Sequence, residues 1–190
     1  MNSVIRKLSV ICDSEEIIAG YLNTFPCMFI ASLKSEQLTK DISESDLTYV
    51  KCKTHDTDAF CIVNNAYRDE DFIRLGIWWC RKHETKSVLI TFPMREKVNQ
   101  RRLLEITGKV YNGMGQVKEK LEFGVPFMNT EVCFAKVFGK SIALDDNAEL
   151  FETDLKPYAT VNGRRMADER FKRKYPYFEM FPMRDSSSIG

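Results

Sequence analysis

Residues 59–92 read AFCIVNNAYRDEDFIRLGIWWCRKHETKSVLITF. The stretch opens with an apolar, β-rich run, AFCIVNN (59–65), the pattern of a buried strand. Asp69 can cap the segment that follows. Phe72, Leu75, Gly76 and Trp79 then recur at i, i+3, i+4 and i+7, and Ile73, Ile77 and Cys80 widen the stripe. Arg74, Arg81 and Lys82 are left outside it, as in an amphipathic helix. The basic residues gather in its last two turns, where the helix dipole favours cations. KSVLITF (86–92) is a second apolar strand, ended by Pro93. A crossover helix of about 15 residues joins parallel or next-but-one strands of one sheet.

The flanks extend this unit. SVIRKLSVIC (3–12) suits a strand or a short helix. Asp13 with Glu15 and Glu16 opens a helix that stops before Pro26. CMFIASLK (27–34) reads as a buried strand, SEQLTKDISES (35–45) as a helical turn or loop, and DLTYVKCK (46–53) as a strand. Downstream, segments 102–113, 116–123, 130–138 and 140–144 read as short strands with Gly-bearing turns, an antiparallel meander. The expected fold class is α+β: a mixed, largely antiparallel sheet covered by one long helix. Residues 1–160 form the expected single domain, and 161–190 a C-terminal basic and aromatic arm.

Composition sets outer bounds. The chain has 190 residues, with 28 Lys+Arg against 27 Asp+Glu, and 44% of its residues are hydrophobic. That apolar content excludes a disordered chain. No run approaches the roughly 18–20 apolar residues of a membrane span. The start, MNSVIRKLSV, lacks a signal-peptide core, so a cytoplasmic protein without membrane contact is expected. The net charge of +1 argues against a coat protein for nucleic acid. The charge is unevenly spread: residues 161–190 hold seven Lys+Arg and four acids, which leaves residues 1–160 at −2.

The six cysteines include no Cys-x-x-Cys pair, and the two histidines, His55 and His83, are far apart. No metal site and no cofactor is expected; the thiols read as small core hydrophobes. GMGQVK (113–118) lacks the strand–loop–helix setting of a phosphate cradle and reads as a hairpin turn. Glu84, at the end of the long helix, can face a ligand or solvent. The adjacent Trp78 and Trp79 point about 100° apart, so one is core and the other lines an interface or pocket. In the tail, Arg164, Arg165, Arg170, Lys172, Arg173, Lys174 and Tyr175 interleave cations with rings. That mixture serves a packing arm, a protein contact or a nucleic-acid contact over 164–178.

The order of elements over 27–144 resembles the small bacteriophage S-adenosylmethionine lyases, long called SAM hydrolases. The resemblance rests on FIASLKS (29–35), a strand running into a small-x-basic-Ser pattern, and on SDLT (45–48). It continues through the strand–helix–strand unit of 61–92, then LEFGVP (121–126) and CFAKVFGK (133–140). The resemblance implies a scaffold that cleaves or binds S-adenosylmethionine or a related nucleoside, with catalysis either retained or lost. Glu84 and Tyr49 are then the catalytic candidates, and Ser32, Ser35 and Trp79 the ligand-binding ones. It also implies a homo-oligomer with sites between subunits. The biological role it implies is anti-restriction or host takeover in the cytoplasm of an infected bacterium. The alternative is a non-enzymatic binder that grips a host protein, or nucleic acid, through the C-terminal arm.

Overall fold

In the computed structural model the described residues are 5–9, 14–33, 35–54, 57–93, 105–124, 130–138, 144–153 and 161–178. In chain order the elements are β1 (Ile5–Ser9), α1 (Ser14–Leu22), β2 (Cys27–Ser32), α2 (Ser35–Ser43), β3 (Thr48–Thr54), β4 (Asp58–Val63) and α3 (Asp69–Lys82). They continue with β5 (Val88–Pro93), β6 (Glu105–Tyr111), β7 (Val117–Gly124), α4 (Thr130–Phe138), β8 (Leu144–Thr153) and α5 (Val161–Lys174). The eight strands form one sheet in the order β1-β8-β3-β4-β2-β5-β6-β7. Every pairing in it is antiparallel.

The unit at 59–92 lands as its pattern predicts. Both β4 and β5 run antiparallel to β2, which lies between them, so α3 joins next-but-one strands. Together with α2 and β3 this makes a β-α-β-β-α-β unit with strand order β5-β2-β4-β3, the split ferredoxin-like arrangement. A strand with two buried faces needs apolar residues at every position, and all six residues of β2 are buried. Cys27, Phe29 and Ala31 enter a core beneath α1 and α4; Met28 and Ile30 enter a second core beneath α2, α3 and α5. Gly76 lets α3 lie close on the sheet: a Cβ there would stand 2.8 Å from Cε of Met28 and 3.2 Å from Cδ1 of Ile90.

Two expectations change. The sheet is covered by five helices on two faces, not by one. Segment 130–138 is helix α4, not a strand. A nine-residue run is short enough to satisfy either period, and tertiary packing decides it. Cys133, Phe134 and Val137 form a buried stripe at helical spacing, with Phe134 edge-on to Phe29 at 5.2 Å. Within the expected strand at 140–144, only Leu144 is among the described residues; there it begins the ten-residue β8, which inserts between β1 and β3. The Gly-x-Gly stretch is the β6–β7 turn: Asn112 Oδ1 accepts the amides of Met114 and Gln116, each at 3.0 Å.

One end of the sheet is tied by buried polar groups. Asn65, just past β4, accepts the amide of Thr48 at 2.9 Å and donates to the Thr153 hydroxyl. Thr48 Oγ1 in turn accepts the Thr153 amide at 3.0 Å, so β3, β4 and β8 share one network. The five described cysteines are buried and unbonded. Burial pushes the Cys52 thiol up to about 12, which makes it a poor nucleophile. Among the described residues, no helix is long and apolar enough to cross a membrane.

The helical reading of 130–138 separates two side chains that a strand would put on one face. Phe134→Ala should cost about 3–5 kcal/mol of unfolding free energy. Lys136→Ala, which removes only a surface pair with Glu119, should cost under about 1 kcal/mol. Urea titration of the two variants checks the pair. Asn65→Ala should cost about 1–3 kcal/mol, because the Thr48 amide is left buried without an acceptor.

Candidate functional site

Three helices meet on one face of the sheet and leave a cleft between them. The cleft holds about 90 Å³ and is lined by Asp41 of α2 and Glu44 just past it, Trp78 and Trp79 of α3, and Lys174 and Tyr175 at the end of α5. Leu38 and Ile42 anchor α2 in the core, and Asp41 and, just past the helix, Glu44 lie beside that buried stripe. Trp79 is fully buried, and its indole N–H finds no hydrogen-bond acceptor. Trp78 is half-buried. Its ring meets Tyr175 and Phe178 edge-on at 5.9 and 5.6 Å. The Lys82 ammonium stands 4.9 Å from the same ring.

Asp41 is the electrostatic centre of this cluster. It takes His83 Nε2 at 2.7 Å and Lys82 Nζ at 2.9 Å. The His83 side chain is 1% exposed, and its Nδ1 is buried without a partner. Burial pushes the Tyr175 hydroxyl well above its usual range, and the neighbouring carboxylates of Asp41, Asp46 and Glu44 push it further. Tyr175 is therefore held in its neutral, hydrogen-bonding form. Lys174 is taken up by Asp46 at 3.5 Å. Glu44 is exposed and forms no ion pair among the described residues.

The expected site residues divide. Trp79, Lys174 and Tyr175 come together in the cleft. Glu84 is exposed just past α3, at a φ of 54°, beside the buried His83. Tyr49 is elsewhere: it is 2% exposed, stacked on Phe151 at 4.5 Å and tilted against Phe60 at 6.3 Å. Burial raises the pKa of its hydroxyl. Its environment is filled core, so it offers its hydroxyl to no open space. Ser32 ends β2, buried, opposite Asp58, and Ser35 opens α2.

Within the basic tail, residues 161–178 pack on the sheet's helical layer. Ala167, Phe171 and Phe178 are buried, and Phe171 meets Tyr67 edge-on at 5.2 Å. Arg164 pairs with Glu70 at 2.6 Å, Arg165 with Glu169 at 3.9 Å and Lys172 with Asp168 at 3.2 Å. Arg170 donates to the Ala66 carbonyl at 3.1 Å. Arg173 is exposed and in no such pair among the described residues. Within 161–178, several of the cations thus have partners inside the protein.

Sequence reading missed Asp41 and Glu44. The signal was their place beside the apolar pair Leu38 and Ile42, which is legible only once 35–43 is read as a full helix. Compared with known proteins, the chain matches no family model, no curated protein and no solved structure. Among the described residues, no three His, Cys, Asp or Glu side chains converge as metal ligands.

Asp41 holds a buried imidazole in place. Asp41→Ala should lower stability by about 1–3 kcal/mol, since His83 Nε2 loses its only partner while remaining buried. Denaturant titration of Asp41→Ala beside Glu44→Ala, which should change stability little, checks this.

Proposed function

We propose that the chain binds S-adenosylmethionine, or a closely related adenosyl cation, in the α2–α3–α5 cleft, on a scaffold like that of the phage lyases. The observation that carries this reading is one cleft holding an unpaired carboxylate, Glu44, two aromatic side chains, Trp78 and Tyr175, and the unsatisfied indole N–H of Trp79. A sulfonium is attracted by a carboxylate and by aromatic faces. A ring nitrogen or carboxylate of the same ligand supplies the acceptor that the indole lacks. A cleft of about 90 Å³ is smaller than the roughly 300–1,000 Å³ of small-molecule sites, which leaves most of such a ligand outside it. A second copy of the chain would cover that part, in keeping with the subunit-interface sites of the family resembled.

In the lyase reading the ligand's own carboxylate attacks its γ-carbon. The carbon–sulfur bond breaks, methylthioadenosine leaves with the electron pair, and a homoserine lactone remains. The protein's task is to fold the methionyl chain into attack geometry and to balance charge around the sulfonium. Exposed Glu84 can serve that balance in a site completed by a neighbouring copy. Ser32 and Ser35 are held as ligand contacts by the resemblance alone. Removing S-adenosylmethionine from an infected bacterium would starve its methyltransferases and the restriction systems that depend on it.

A second reading has its own support. Tyr49 is sealed in the core, so the Tyr49–Glu84 pair is not assembled within one chain. The same scaffold can therefore serve as a binder that grips a host protein through the exposed side of α5, where Arg165, Met166 and Arg173 face outward.

Incubation with S-adenosylmethionine decides between them. The expected result is a rise in thermal midpoint with millimolar ligand. Glu44→Gln should weaken that binding about tenfold or more, the size of a lost charged contact. Methylthioadenosine formation would add turnover, and Glu84→Gln should then slow it. Neither shift nor product would remove the S-adenosylmethionine reading. Capture of a bacterial protein, abolished by a doubly substituted Arg165→Glu, Arg173→Glu chain, would support the second.

A further inference from the structure

The sheet runs wider than its cover. On the flank of α3 away from the cleft, β6 and β7 extend beyond the helix and leave a groove of about 340 Å³. Ile73 and Trp78 lie five positions apart, about 140° around the helix, so the groove and the cleft are on different sides of α3. The inner wall of the groove is apolar: Ile73, Phe92 and the largely buried Tyr111. Its outer rim is basic. Lys109 and Lys120 are direct cross-strand partners, and both line the groove.

That pairing is the informative feature. Side chains directly opposite on antiparallel strands have Cβ atoms about 4.5–5.5 Å apart, and like charges there are destabilising. Proteins relieve such a pair with a nearby carboxylate. Among the described residues, neither lysine forms an ion pair, although Glu122 lines the same groove. Glu122 stands opposite Thr107, two positions along the ladder. The groove thus offers two unneutralised ammonium groups, an apolar and aromatic wall, and a carboxylate with a hydroxyl beside it.

We propose that this groove is a second ligand site that takes a nucleoside monophosphate: phosphate between Lys109 and Lys120, base against Phe92 and Ile73, and sugar hydroxyls donating to Glu122. A phosphate near −2 charge satisfies both ammonium groups at once. The flat base suits a wall with one ring edge and one aliphatic side chain. A carboxylate would repel the phosphate but accepts from a ribose hydroxyl, which explains why Glu122 sits beyond the lysine pair and not between its members. The inference is independent of the reading of the cleft, since the two share no lining residue.

Calorimetric titration of the whole chain with adenosine 5′-monophosphate, adenosine, ribose 5-phosphate and inorganic phosphate is the test. The monophosphate should bind at least tenfold tighter than any of the three fragments, and its affinity should fall as salt is raised. Lys109→Gln with Lys120→Gln should weaken it tenfold or more, and Phe92→Ala should weaken the monophosphate but not inorganic phosphate. The double lysine variant is also a folding control: relief of like-charge repulsion should leave its thermal midpoint unchanged or raise it by about 1–3 °C. Absence of binding at 10 mM monophosphate, binding that survives the double substitution, or a clear fall in the thermal midpoint overturns the proposal.

Discussion

β2 is the constraint on which the rest of the molecule depends. It is a six-residue strand buried on both faces, with β4 hydrogen-bonded along one edge and β5 along the other. Its first four residues are fully buried and the last two nearly so, and its alternate side chains seed two separate cores. The odd positions call for α1 and α4, and the even ones for α2, α3 and α5. Each helix is short and individually marginal in water. The helices persist because each supplies apolar cover to one of these two surfaces.

The two-faced sheet also explains where the candidate sites lie. On the α3 face three helices converge over the centre of the sheet, and their polar flanks meet where no apolar side chain remains to fill the gap. Asp41, Glu44 and Lys174 are brought together in that way, from elements far apart in the chain. At the β7 edge the opposite happens: the sheet continues past its last helix on that face and leaves strand side chains uncovered. Buried polar atoms without partners are uncommon in folded proteins. The Trp79 indole N–H marks the cleft as a place where the protein's own groups do not close the hydrogen-bond account.

Sequence reading succeeded where a pattern was long or two-sided. The 14-residue α3 showed its stripe over four turns, and the flanking apolar runs could hardly be anything but buried strands. It failed on α4 and β8, for related reasons. Nine residues of TEVCFAKVF fit either period, and only the position of Phe29 beneath Phe134 makes the helical one bury more. LDDNAELFET looks polar because it lies near the sheet margin, where one side of the strand faces partly outward. Trp79, Lys174 and Tyr175 were legible as candidates, but their meeting was not. Tyr49 looked like a candidate on the strength of resemblance, and its stacking on Phe151 of β8 puts it in the core.

The sequence by itself determined the α+β class, the central strand–helix–strand unit, the apolar role of the cysteines and the basic, aromatic character of the last thirty residues. These follow from local periodicity and composition, which act within a dozen residues. Only the tertiary structure decided that the sheet has two covered faces, that 130–138 is a helix and that residues 161–178 pack against the body. It alone placed Asp41 against His83, and Lys109 opposite Lys120 above an open groove. Those outcomes depend on strand register and on contacts between residues tens of positions apart, which no local pattern encodes.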